Sequence, residues 1–434
     1  MKDTLPARPP LHLFEGFGVE LEYMIASADR LDVAPIADQL LAAAALDEAA
    51  TGEPAAAGTA VSDVEFGPVA WSNELVLHVL EFKTNGPAAS LQGLSGLFHE
   101  NIQRASRLLS ELGGQLLPTA MHPWMDPARE MQLWPHDYGP VYEAFDRIFD
   151  CRGHGWANLQ SVHINLPFAG SETDSSEFGR LHAAIRLLLP LLPGLAASSP
   201  IHDGQPAGFL DSRLDVYRRN ARAVPSVSGR VIPERAFSRS RYDELIFQPM
   251  YTDIAPHDPA GLLQEEFLNS RGAIARFERG AIEIRVLDIQ ECPAADVAIC
   301  AAIVAVLRRL VAEEWTPLSE QQSVEIEPLE RVLLASIRDA DQAIVEDAGV
   351  LAQFGLAARR WTVGEIWQAL LERECRQDSD FAATWLPSLQ PILEHGPLAR
   401  RILRRTGPTP DRARLRAVWR ELGECLVSNE PFVV

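Results

Sequence analysis

Cysteine is scarce in this chain, and the five present, Cys151, Cys292, Cys300, Cys375 and Cys425, are odd in number and form no C-x-x-C pair. That suggests neither a disulfide framework nor a thiolate zinc site, so a reducing cytoplasm is the expected compartment. Long apolar runs are missing too: no stretch of about eighteen or more uninterrupted apolar residues occurs, which argues against a membrane span. The start, Met1-Lys-Asp-Thr-Leu-Pro-Ala-Arg-Pro-Pro10, lacks the apolar stretch of a secretory signal. Basic residues are outnumbered, 39 Lys and Arg against 60 Asp and Glu, giving a formal net charge of -21. Such a surplus disfavours nucleic acid and anionic membrane surfaces as partners, so an anionic substrate needs a local patch of metal and arginine. No repeat of fixed period, no G-x-S-x-G and no Walker-type lysine motif is found, so neither a solenoid nor a serine nucleophile is suggested.

What is present is bulk and pattern. With 434 residues and 47% hydrophobic content the chain can bury a large core, as two or three domains or one large catalytic unit. Three distant segments share one layout: Phe17-Gly-Val-Glu-Leu-Glu-Tyr-Met-Ile25, Ser161-Val-His-Ile-Asn-Leu166 and Ala281-Ile-Glu-Ile-Arg-Val-Leu287. Each alternates with the two-residue period of a strand, so Glu20/Glu22, His163/Asn165 and Glu283/Arg285 project from one face. The opposite faces, Val19/Leu21/Tyr23, Val162/Ile164/Leu166 and Ile282/Ile284/Val286, are expected in the core. Taken singly, each polar pair reads as the wet side of a strand, and Glu283 with Arg285 as an ion pair contributing about 0-1 kcal/mol. Jointly they offer only groups that bind cations or anions, a set suited to divalent metals and phosphate.

Between these strands the sequence predicts a helix over Pro35 to Glu48, a loop over residues 51 to 60, a strand from Leu75 to Phe82 and an amphipathic helix from about Leu91 to Leu112. Pro118 to His136 reads as a loop, with Met121-His-Pro-Trp-Met125 as proline-braced packing rather than a lid. A helix over Ser175 to Leu192 precedes a small-residue loop at Ala196 to Gln205. From Asp296 onward the pattern is helical, with breaks expected near Pro317, Pro328, Trp361, Pro387, Pro397 and Pro410. The pairs Arg400-Arg401 and Arg404-Arg405 read as a wet helix face or an intersubunit contact. The expected class is α+β, a mostly antiparallel sheet with helices on one side and a helical C-terminal third.

A fourth segment, Trp71 to Pro87, adds Glu74 and Glu81. Their odd separation puts them on opposite faces of a regular strand, so both reach one site only through a bulge or turn between them. Converging carboxylates repel one another and hold their protons more tightly; two or three Mg²⁺ or Mn²⁺ ions remove that cost and make a polyphosphate seat.

Gly18-Val-Glu-Leu-Glu22, Glu74 with Glu81-Phe-Lys-Thr84, Ser161-Val-His-Ile-Asn165 and Ala281-Ile-Glu-Ile-Arg285 resemble the ordered motifs of the glutamate-cysteine ligases and related carboxylate-amine ligases of the glutamine synthetase superfamily. Ala197-Ser-Ser-Pro200, with Gly208 to Arg213 and Tyr217, is similar to the segment carrying a substrate-contacting arginine there. The resemblance spans about Phe14 to Gln290. It implies a glutamine-synthetase-like curved sheet with helices on its outer face, a catalytic domain over residues 11-295 and a helical region over 296-434 packed on it. It also implies that Glu20, Glu22, Glu74, Glu81, His163 and Glu283 hold the metals. Arg285, Arg213 and Asn165 would serve ATP, Arg213 meeting a phosphate or the substrate carboxylate, and Arg285, Arg213 and Glu74 would serve the chemistry. Asn165 stands where glutamine synthetases usually show a second histidine; the His-x-Asn form is closer to the glutamate-cysteine ligases.

The expected function is a cytoplasmic ATP- and Mg²⁺- (or Mn²⁺-) dependent ligase joining a small-molecule carboxylate, such as an amino acid, to an amine through an acyl phosphate. Two other readings stand beside it: a non-catalytic family member acting as metabolite sensor or scaffold, and a phosphoryl transferase acting on a guanidino compound. The oligomeric state, a homo-oligomer included, is left open.

Overall fold

The computed structural model describes residues 9–49 and 61–434; the loop expected over 51 to 60 lies outside them. Its frame is an antiparallel sheet of β1 (Gly18–Ser27), β2 (Asp63–Phe66), β3 (Val69–Asn73), β4 (Val79–Thr84), β5 (Gly114–Leu117), β6 (Ser161–Pro167), β9 (Ala273–Arg276) and β10 (Ala281–Asp288). The spatial order is β2-β3-β4-β1-β6-β10-β9, with β5 alongside the far end of β1. A small separate hairpin joins β7 (Ile201–His202) to β8 (Gln205–Pro206). The long β1 is central because it pairs with β4 on one side and successively with β6 and β5 on the other.

Alternation fixes which face is which. Val19, Leu21, Tyr23, Val162, Ile164, Leu166, Ile282, Ile284 and Val286 are all buried, none more than 2% exposed. Each aliphatic member contributes about 1.5–3 kcal/mol on burial. A one-residue slip of any strand would expose this set and drive carboxylates into the core, so the register is strongly determined.

Helices cover the apolar face. Pro293–Val311 is apolar nearly all round and lies buried among Leu94–Glu111, Glu177–Leu188 and Ser379–His395, as an all-round apolar helix must. Tyr23 on β1 donates to Asp296 of this helix at 3.5 Å, so the helix packs directly beneath the sheet. Leu94–Glu111 buries Leu94, Phe98, Ile102, Ala105 and Leu109 as an amphipathic stripe. One hydrophobic core runs from Phe17 to Phe432. It joins both expected regions, whose boundary at 295/296 falls in the first turn of Pro293–Val311.

Four local expectations are corrected. The strand expected at Leu75 begins only at Val79, because residues 74–78 form the turn between β3 and β4. Pro328 sits in the first turn of Ile326–Asp339, where the missing N–H has no intrahelical partner to lose. Pro387 and Pro391 lie inside Ser379–His395 without ending it. They are four apart on the outer side, Pro387 being exposed, so water can serve the carbonyls that lose a donor. Arg401 is not on a wet face: it is fully buried, paired with Glu291 at 2.6 Å and donating to the Phe432 carbonyl at 2.6 Å.

Candidate active site

Cross-strand register assembles the polar wall. Glu20 lies opposite His163 on β6 and Lys83 on β4, and Glu22 opposite Glu81. Glu283 lies opposite Asn165, which itself faces Gly18. The β3–β4 hairpin supplies the turn that the odd spacing of Glu74 and Glu81 requires: Ser72 pairs with Glu81, and Glu74 starts the turn. Gly18 is a steric necessity here, since a Cβ on it would stand 2.9 Å from Asn165 Cβ.

His163 is the hub. Its Nδ1 donates to Glu20 Oε2 at 2.8 Å and faces Glu283 Oε1 at 3.7 Å; its Nε2 lies 3.0 Å from Ser161 Oγ and 3.6 Å from Glu22 Oε1. Ser161 donates both N–H (2.7 Å) and Oγ–H (2.8 Å) to Glu22 Oε2. Asn165 Nδ2 donates to Glu20 Oε1 at 3.1 Å. Across β4, Ser72 Oγ donates to Glu81 at 2.8 Å and Lys83 Nζ stands 3.3 Å from the same carboxylate. Glu283 is gripped by Arg285 (2.9 Å) and by Arg276 (3.3 Å). Two groups have ligand atoms all within 4.8 Å of one another, Glu20/His163/Glu283 and Glu22/Glu81/His163. Glu74 flanks the second and feels the charges of Glu22 and Glu81.

The electrostatics are those of a site built around positive charge. Burial pulls the His163 imidazole down, but its hydrogen bond to Glu20 and the charges of Glu22, Glu20 and Glu283 outweigh it and raise the group to about 9. Burial raises Glu20, and the His163 hydrogen bond and charge, with Arg285 and Lys83, overcome this and lower it to about 2. These are one contact seen from both ends. Burial, then Glu20, pushes Glu81 up to about 7. Burial, then Glu22 and Glu81, holds Glu74 well above the usual carboxylate range. Without a metal, protonated His163 and the basic side chains partly offset the carboxylates; a divalent cation can do so more fully. Oxygen donors with a single imidazole suit Mg²⁺ or Mn²⁺ rather than a thiophilic ion.

A cavity of about 670 Å³ opens beside this wall, lined by Glu20 and Asn165, by Lys83 and Arg279, and by apolar surface including Leu11 and Phe168. Its mixed lining can hold a flat apolar group with phosphates toward the metals.

Arg213 is placed differently. It is 2% exposed and is engaged by the backbone of the wall, donating from Nη2 to the Arg285 carbonyl at 2.8 Å and facing Asp288 Oδ1 at 3.5 Å. Tyr217 lies within 5.9 Å of the Arg213 guanidinium. Ser161, Arg276 and Asp288 were missed by the sequence reading. Counting by twos from Glu283 puts Asp288 on the core face, but a bulge between Ile284 and Leu287 restores it to the Ser161 side. Arg276 follows from no sequence signal beyond its proximity to the β10 segment.

A third group, His154, His202 and Asp203, lies elsewhere. Asn158 Oδ1 accepts from the His122 N–H at 2.7 Å, so its Nδ2 faces His154 Nδ1 at 3.0 Å as donor. That puts the His154 proton on Nε2, toward Asp203 at 3.1 Å, the opposite of what a metal-binding imidazole needs. Met121, fully buried, and His122, whose Nε2 lies 2.7 Å from the Leu31 carbonyl, are packing elements as expected.

Among the described residues no helix is long and apolar enough to cross a membrane. The chain is 31% identical over 377 residues, 87% of its length and 92% of the relative's, to an uncharacterized protein of Archaeoglobus fulgidus. Its fold is similar to that of the glutamate-cysteine ligase of Francisella tularensis, solved in complex with AMP. That likeness has a TM-score of 0.63 at 14% identity, covering 95% of this chain and 89% of that one. The model of glutamate-cysteine ligase family 2 matches residues 16–422, and with the ordered carboxylate wall in place the chain belongs to that family of carboxylate-amine ligases.

Proposed function

We propose that the protein uses ATP and Mg²⁺ or Mn²⁺ to join a small carboxylate, such as the side chain of an amino acid, to an amine. The observation that supports this best is the gathering of Glu20, Glu22, Glu81, His163 and Glu283 from four strands around one hollow beside a cavity of nucleotide size. A carboxylate is a poor electrophile because its charge repels nucleophiles. Moving the γ-phosphoryl of ATP onto it gives an acyl phosphate and ADP; attack by the amine then expels inorganic phosphate and forms the amide.

Glu20, His163 and Glu283 would hold one cation, and Glu22 with Glu81 another, His163 standing between the two groups. Bound there, the cations neutralise phosphate charge and align donor with acceptor. Asn165 at the cavity would meet the nucleotide, and Arg285 would add fixed positive charge where the phosphoryl group passes. Lys83 and Arg279 at the cavity offer further charge to phosphates. Glu74, beside the group formed by Glu22, Glu81 and His163, would take the proton the attacking amine must lose.

The test is an ADP-release screen over amino-acid and amine pairs with Mg²⁺, with hydroxylamine as a surrogate amine. Metal-dependent ADP release with hydroxamate formation is expected. ADP without amide or hydroxamate, or no nucleotide turnover with any carboxylate, would refute the proposal.

A further inference from the structure

The strand that carries Arg285 parts from its neighbour β9 at that residue. The ladder between β10 and β9 ends at Ile284 opposite Ala273. Arg285 N–H still donates to the Gly272 carbonyl at 3.0 Å, but the return bond is absent because Gly272 N–H donates to the Val231 carbonyl at 2.7 Å. On the other side the pairing with β6 shifts between Ile284 and Leu287. The Arg285 carbonyl therefore lacks a ladder partner, and a buried carbonyl must find one elsewhere. Arg213 Nη2 supplies it at 2.8 Å.

Arg213 is itself fastened. Asp288 Oδ1 faces its Nη1 at 3.5 Å, while Asp288 Oδ2 accepts from the Ser198 N–H (2.8 Å) and Ser199 Oγ–H (2.7 Å). Ser199 Oγ in turn accepts from the Arg213 N–H at 3.0 Å. Asp211 caps the short helix Ser212–Tyr217 by accepting from the Leu214 N–H at 2.8 Å. None of Asp211, Arg213 and Asp288 is more than 2% exposed. Burial, then the charge of Asp288, holds the Asp211 carboxyl well above its usual range.

We propose that Arg213 is a positioning residue, which, gripped by Asp288, holds the main-chain carbonyl of Arg285 and so sets where the Arg285 guanidinium stands. The proposal rests on the reading of Arg285 as a phosphate-binding group. A side chain on a bulge is aimed only as well as its backbone is held. On this reading Arg213, 2% exposed, acts on the nucleotide through Arg285.

The experiment is a double-mutant cycle read by calorimetric titration with the Mg²⁺ complex of a non-hydrolysable ATP analogue. Arg213→Lys is expected to weaken analogue binding about tenfold, and in the Arg285→Ala background to add no further loss. Mn²⁺ affinity without nucleotide should stay within about twofold of the parent, a readout that general structural damage would move. Should Arg213→Lys not fold, Asp288→Asn supplies the same cycle by loosening Arg213, and Asp211→Asn, which keeps the oxygen that accepts from the Leu214 N–H, should leave binding unchanged. Losses that multiply across the two arginines, or a parallel fall in Mn²⁺ affinity, would overturn the proposal. Failure of the parent protein to bind the analogue at all would instead remove the ligase reading, and this proposal with it.

Discussion

Metal binding should expel a proton from His163. In the metal-free protein the imidazole is raised to about 9, so at pH 7 it is charged, and a cation can use it as a ligand only after that proton leaves. Two pH units of competition weaken metal binding at pH 7 by about 100-fold, about 2.7 kcal/mol, relative to the plateau above pH 9. Glu81, near 7, adds about half a proton, for about 1.5 released at pH 7. Calorimetric titration with Mn²⁺ in two buffers of different ionisation enthalpy measures the count, and affinities from pH 6 to pH 8.5 measure the slope. Release below about 0.3 proton with pH-independent affinity would refute the reasoning. Stability follows the same charges. His163, raised above its unfolded value of 6.5, contributes fully below 6.5 and loses that contribution as pH rises through about 9. Glu20, lowered from 4.5 to about 2, contributes above 4.5 and loses it as pH falls through 2. Glu81, raised from 4.5 to about 7, favours the folded state at low pH and costs stability above 7. The melting temperature of metal-free protein should therefore be highest between about pH 4.5 and 6.5 and fall toward pH 9, and Mn²⁺ should remove the alkaline decline.

Ser161→Ala takes one donor from Glu22 and the partner of His163 Nε2, and is expected to weaken Mn²⁺ binding by about 10- to 100-fold in titration. Gly18→Ala forces a Cβ against Asn165; a loss of about 1–3 kcal/mol in denaturant unfolding is expected, with weaker metal binding. Arg401→Met strands Glu291, both partners being fully buried, and should cost about 3–5 kcal/mol in the same assay while leaving Mn²⁺ affinity unchanged.

Much of the wall was legible because burial on one face leaves a two-residue period that survives in sequence: Glu20/Glu22, His163/Asn165 and Glu283/Arg285 all stand where alternation puts them. What alternation cannot express is where it stops. The turn at 74–78 shortens the strand expected from Leu75, yet it is what brings Glu74 and Glu81 near each other. The bulge in β10 hides Asp288 from any parity count, and with it the contacts that Arg213 makes to Asp288 and to the Arg285 carbonyl. Charge was equally ambiguous in the helical third. Arg401 and Arg400 are neighbours in one basic cluster, but Arg401 finds Glu291 across 110 residues of chain, a partnership no local pattern records. Proline was over-read at position 387, since a helix broken by sequence rules persists when the orphaned carbonyls face water.

The most direct test is diffraction at the manganese edge from crystals grown with Mn²⁺ and a non-hydrolysable ATP analogue. Anomalous peaks are expected among Glu20, His163 and Glu283 and between Glu22 and Glu81, with the nucleotide in the cavity beside Asn165. Peaks remote from these carboxylates, or a nucleotide bound on another surface, would contradict a metal-nucleotide centre on this sheet.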